Sequence, residues 1–324
     1  MKMLQPQRDR RALVKAIVSA GMAVALVAGS GQAQAPSTAP GQHAYELARE
    51  IVVADGFRAR LSRLEIQESL HSQQISQALN LTDPTKQASI KEVVHRRWQA
   101  LEDDMVEARV SILAQTYTVE EMEGALTFGR TPTGQALRAA APDLNRALMT
   151  AVFGQAAPAT SAPPMSERKI ALVKRILVAR EVEVSADKGW RVLNALLSQS
   201  LSNPAKTGTP PTVSVNNEAA EVAYVQRVVA AETEFYSRTF SEGQLTELAT
   251  YFEGPIAHAF NEREPQVKSA AAKAASKVFD RQFELMYKEA CEAVECSPSQ
   301  RAALDTRLSQ SLSMVATAAN AVAQ

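Results

Sequence analysis

Two stretches of this chain repeat one another at a constant offset of 123 residues, and that duplication limits the possible folds more than any other feature. Tyr117-Thr118-Val-Glu-Glu-Met122 aligns with Phe240-Ser241-Glu-Gly-Gln-Leu245, Phe128 with Tyr251, Pro132 with Pro255, and Pro142 with Pro265. Upstream, Leu101, Met105, Ala108 and Ile112 fall on Tyr224, Val228, Ala231 and Phe235 at the same offset. Spacings of three and four make each set one stripe of an α-helix. Thr118 and Ser241 are helix N-caps, and Glu121 and Gln244 three residues on complete capping boxes. The helices that follow place Met122, Ala125, Leu126 and Gly129, or Leu245, Leu248, Ala249 and Phe252, at core spacing. They stop at Thr131-Pro132 and Gly254-Pro255, where proline suits the first turn of a new helix. Each copy should therefore be a hairpin of a short and a longer helix.

Composition agrees. Hydrophobic residues make up 46% of the chain, enough for genuine cores, and aromatics only 5%. Strong helix formers recur throughout. The expected fold is all-α: duplicated helical hairpins or bundles at 43–154 and 167–290, joined by a Pro/Ala linker at 155–166. A cysteine-bearing turn and a C-terminal helix occupy 291–324. Thr82-Asp83-Pro84 should open a long helix with Ile90, Val94, Trp98, Leu101 and Met105 inward. Ser297-Pro298-Ser299-Gln300 should open the last helix, with Leu304, Leu308 and Leu312 inward. Asn203 to Asn217, rich in proline, reads as a loop.

The segment from Tyr117 to Gly134 resembles the domain-of-unknown-function 2059 family of bacterial envelope domains. The resemblance rests on an aromatic residue, a hydroxyl cap, an acid-rich helix ending in an aromatic, and Ser/Thr-Pro-x-Gly. Here those are Tyr117, Thr118, Phe128 and Thr131-Pro132-Thr133-Gly134. Phe240, Ser241, Tyr251 and Pro255 repeat the pattern, but Gly254-Pro255-Ile256-Ala257 loses the hydroxyl and the last glycine, so the second copy should turn differently. The resemblance implies a helical fold and an envelope location, with no activity and no catalytic residues.

Residues 1–35 have the order of an export signal: Lys2, Arg8, Arg10, Arg11 and Lys15, an apolar run from Ala16 to Gly29, then Ala33-Gln34-Ala35. Asp9-Arg10-Arg11-Ala12-Leu13-Val14-Lys15 also resembles a twin-arginine signal. The mature product is expected in the periplasm or outside the cell. It should carry no membrane-spanning segment, because the only long apolar run is in the signal. The whole chain is formally neutral, and the signal holds five basic residues and one acid, so the mature chain carries a net −4. A nucleic-acid partner is thereby disfavoured.

Little in the chain spells catalysis. Glu68-Ser-Leu-His71 and Glu92-Val-Val-His95 have the Glu-x-x-His spacing of di-iron bundles. Glu92 and His95, however, lie opposite the apolar stripe of their helix, so both motifs read as exposed faces and no metal or other cofactor is expected. His258 and Glu262 read as a surface helical pair. Glu102-Asp103-Asp104 and Glu120-Glu121-Met-Glu123 lack the alternating spacing of a calcium loop. Trp98, Tyr117, Phe128 and Phe240 read as core. Cys291 and Cys296, the two cysteines of the chain, should form a disulfide in an oxidising compartment, with an effect confined to the last helix and the first copy untouched. The functional expectation is a non-catalytic binding module for a protein or peptide of the cell envelope. The alternatives are a hydrolase-type envelope enzyme with a site not recognisable from sequence, or a purely structural component.

Overall fold

The computed structural model describes residues 41–62, 65–153, 165–201 and 218–309. The signal segment, the linker up to residue 164, the 203–217 loop and Leu312 lie outside them. The described residues are helical, with no strand among them: α1 (Gln42–Ala54), α2 (Phe57–Ser62), α3 (Glu65–Ala78), α4 (Pro84–Thr116), α5 (Val119–Arg130), α6 (Pro132–Phe153), α7 (Glu167–Ala179), α8 (Val182–Leu201), α9 (Glu218–Thr239), α10 (Glu242–Phe252) and α11 (Pro255–Val294). Residues 298–309 are helical as well. The all-α expectation holds.

Packing divides the chain into two units. One takes its described residues from the stretch up to Thr116 and from Gln266 onward, the other from Tyr117–Pro265. Each unit thus takes residues from both of the stretches 43–154 and 167–290.

In the first unit, α1 and α3 pack on α4. The stripe expected from the sequence is the one buried: Ile90, Val94, Trp98, Leu101 and Met105. Each such aliphatic side chain contributes roughly 1.5–3 kcal/mol on leaving water. The exposed edge of α4 carries acids that are matched by arginines from other helices. Asp103 pairs with Arg58 and Asp104 with Arg281, while Arg49 donates to both oxygens of Glu107 at 2.6 and 2.9 Å. Asp103 and Asp104 of the acidic run are therefore part of an ion-pair ladder. Their carboxylates are turned to separate partners instead of converging on a cation.

In the second unit, α9 packs on α6, α7 and α8, and α10 on α7. A buried cluster joins Ile176, Phe235, Tyr236, Phe240, Leu245 and Leu248. Both capping boxes form: Thr118 Oγ1 accepts from the Glu121 amide, Ser241 Oγ from that of Gln244, and each partner side chain accepts in return from the cap backbone. The turns that follow differ, as the loss of the hydroxyl suggests. Thr131 is a single extended residue between α5 and α6, donating its hydroxyl to the Phe128 carbonyl at 2.7 Å and accepting from the Gly134 amide at 3.0 Å. A Cβ on Gly134 would lie 2.1 Å from that same carbonyl oxygen, so the helices meet this closely only because residue 134 is glycine. After α10 the chain instead passes through Glu253 in helical geometry before Gly254.

Trp98, Tyr117 and Phe240 are buried as expected, whereas Phe128 is half-buried. Its ring stacks on Tyr251 at 3.7 Å with an interplanar angle of 7°, and Tyr117 stacks on Phe260 at 4.0 Å. Tyr117, Phe128 and Tyr251 thus take part in ring pairs between the two hairpins.

Candidate functional site

An open concavity of the first unit lies between α3 and α4, with a volume of about 1160 Å³. Its position follows from the two helical patterns. Ile75 and Leu79 turn inward from α3, and Ile90, Val94 and Trp98 from α4, so the faces left toward the cleft are polar. Ser69, Ser72 and Ser76 with Gln73 and Gln77 line one wall. Gln87, Lys91 and His95, spaced four apart, line the other. Asn80, Leu81, Thr82 and Pro84 close one end.

The two Glu-x-x-His motifs meet here through one residue from each. Glu68 Oε1 lies 3.1 Å from His95 Nδ1, and Gln99 Nε2 lies 3.0 Å from His95 Nε2. Both imidazole nitrogens are thus engaged, Nδ1 with Glu68 and Nε2 with Gln99. Glu92 and His95 are exposed, as expected. His71 is not. It is half-buried, its ring 5.5 Å from that of Trp98 and 5.1 Å from that of Phe283, which corrects the reading of both motifs as exposed faces. Phe283 comes from a distant part of the sequence, so the local pattern around His71 could not reveal that slot. Among the described residues no three His, Cys, Asp or Glu side chains are grouped to hold a metal ion.

The second unit has a smaller, mainly apolar groove of about 550 Å³, lined by Ala171, Val178 and Phe252, with Lys174 and His258 at its rim. Arg175 donates to Glu253 at 2.8 and 2.6 Å beside it, and that hydrogen bond holds the Glu253 carboxyl below the usual range. His258 pairs with Glu262 at 3.2 Å on the surface, as the spacing implied.

The same unit contains a polar cluster with no counterpart in the sequence reading. Arg180 ends α7 and donates to Glu232 and, at 2.7 Å, to the Tyr236 hydroxyl, while its guanidinium lies over the Tyr236 and Phe252 rings. Glu232 is only 5% exposed. Burial pushes the Tyr236 phenol up, keeping it neutral beside the ion pair. Glu232 is legible only as one charge on an otherwise apolar helix face. Within the cluster Arg180 is bonded to both Glu232 and Tyr236.

The sequence-designated residues divide accordingly. Tyr117, Thr118, Phe128, Thr131, Pro132, Gly134, Phe240, Ser241, Tyr251 and Pro255 build the hairpins of the second unit and do not line the α3–α4 cleft. Cys291 and Cys296 belong to the first unit, their sulfurs 2.22 Å apart at disulfide distance and their Cα atoms 5.0 Å apart. The cleft itself was not among the sequence expectations.

The described residues thus form an all-α protein with a polar recess between α3 and α4. Residues 103–162 match the model of a family described as an uncharacterized protein conserved in bacteria, DUF2059, the family that the Tyr117–Gly134 motif resembles. No curated protein and no solved structure matches the chain. No helix among the described residues is long and apolar enough to cross a membrane.

Proposed function

We propose that this is an exported binding protein of the cell envelope that holds a polypeptide segment of a partner in the α3–α4 cleft. The observation that carries this reading is the chemistry of the lining. Serine, glutamine and asparagine side chains both donate and accept hydrogen bonds, which is what the alternating N–H and C=O groups of a peptide need. Ser72, Ser76 and Ala88 are small enough for a chain to approach both helices closely. No Phe, Tyr or Trp ring lines the cleft to stack a base. The occupied nitrogens of His95 favour holding over hydrolysis. Export rests on the order of basic, apolar and small residues in 1–35.

We further infer that the chain arose by tandem duplication. The stack of Phe128 on Tyr251 supports this, because the two are equivalent positions at the 123-residue offset. A position that meets its own equivalent is characteristic of a two-fold relation between copies.

Filling the cleft tests the binding role. Full-length protein with Ser72→Trp and Ser76→Trp should keep its melting temperature and its envelope location. It should also lose at least about tenfold of the partner that co-migrates with the wild type on native electrophoresis of envelope extracts. A filled cleft with an unchanged complex contradicts the assignment.

A further inference from the structure

The cysteine pair brackets a strained helix end. At the end of α11 the Cys296 amide donates to the Cys291 carbonyl at 3.0 Å and the Glu295 amide to that of Glu292 at 3.3 Å, the two bonds of a Schellman cap. The left-handed residue of such a cap is usually glycine. Here it is Glu295, at φ +57°, where a Cβ crowds the following carbonyl. A hydrophobic contact commonly joins the first and last residues of this motif, and in this chain the cysteine sulfurs take that place.

This end is bonded to a second one like it. α3 finishes with Leu81 donating to the Ser76 carbonyl at 3.0 Å and Asn80 to that of Gln77 at 3.1 Å, with Asn80 left-handed at φ +51°. Two side chains tie the ends together. Gln300 accepts from the Ser297 amide at 3.0 Å as part of a capping box, and its Nε2 donates to the Leu79 carbonyl at 2.8 Å. From the first turn of α4, Lys86 Nζ donates to the Val294 carbonyl at 3.2 Å. Between these two tethers lie Asn80, Leu81, Thr82 and Pro84, the residues that close the end of the cleft.

We propose that the Cys291–Cys296 bridge is a redox latch that holds the closed end of the cleft in shape. In the oxidised state the bridge maintains the left-handed Glu295, and so positions Gln300 and Val294 against Leu79 and Lys86. Reduction by a dithiol releases it. A reductant thiolate attacks the partly exposed Cys296 sulfur, Cys291 leaves as a thiolate and is protonated, and the second reductant thiol displaces Cys296 as the reductant's own disulfide forms. The two protons left on the cysteines come from the dithiol. Glu295 then relaxes, the tethers slacken, and the 79–84 turn opens. This revises the expectation that reduction would leave the first copy untouched, because Leu79 and Lys86 belong to that copy. The latch takes its purpose from the peptide-binding reading, but its action is measured without any ligand.

Amide hydrogen exchange on the full-length protein, oxidised and after treatment with a dithiol, gives the test. Reduction should speed exchange at Cys296 and 299–301, and also at Leu79, Asn80 and Leu81, by about tenfold, with α9 unchanged. Gln300→Ala in oxidised protein should speed Leu79–Leu81 together with Ser297, whose amide loses its acceptor, and reducing that variant should add little at Leu79–Leu81. The proposal is overturned if 79–81 stay protected while 296–301 loosen. It is equally overturned if reduction loosens all of α4 uniformly, if Gln300→Ala has no effect at 79–81, or if protein isolated without reductant carries free thiols. A failed cleft-filling experiment would remove the binding role and leave these exchange results standing.

Discussion

Glu232→Ala should destabilise the Tyr117–Pro265 unit by about 3 kcal/mol, because it leaves Arg180 charged, largely buried and without its carboxylate. The estimate sits at the lower end of the range for broken buried pairs because the Arg180 side chain keeps 26% of its exposure and water recovers part of the loss. Urea denaturation followed at the second unit measures it. Adding Arg180→Met to Glu232→Ala should restore most of the stability, since an apolar side chain of similar length needs no counter-charge. Glu234→Ala provides the contrast. Its pair with Arg238 is half exposed on both sides and should cost under about 1 kcal/mol. A Glu232→Ala protein as stable as wild type would mean that the pair does not contribute to holding α7 against α9.

The second large effect belongs to the aromatic stack. Phe128→Ala and Tyr251→Ala should each cost about 2–3 kcal/mol, less than a fully buried ring because both side chains are half-buried. The double variant should cost less than the sum of the two by about 0.5–1.5 kcal/mol, the coupling expected of an aromatic pair in contact. Additive losses in the denaturation midpoints would show that the two rings do not contact each other.

Local chemistry in this chain was legible and long-range chemistry was not. Thr118 with Glu121, Ser241 with Gln244 and Ser297 with Gln300 could be read as caps because the whole interaction fits within four residues. The buried stripe of α4 could be read because a helix of 33 residues repeats its period many times. α3 shows the opposite case. Its mix of serine and glutamine carries almost no amphipathic signal, so nothing local marks Ile75 and Leu79 as buried or the serines as one wall of a cleft. Glu68 meets His95, His71 meets Phe283, and Gln300 reaches Leu79 across 27, 212 and 221 positions respectively. Each is decided by which helices pack together, and residue spacing within one helix does not contain that information. The Gly134 requirement was visible as a motif letter, but its cause is a carbonyl oxygen 2.1 Å from where a Cβ would sit.

The binding role is tested most directly by a photo-crosslinking residue placed in turn at Gln77 and Gln74 of full-length protein in the intact envelope. Both positions are exposed on α3, but Gln77 lines the cleft and Gln74 does not. A discrete adduct to a partner polypeptide is expected from Gln77 and none from Gln74. Equal adducts from both positions, or none from Gln77, would contradict the binding role.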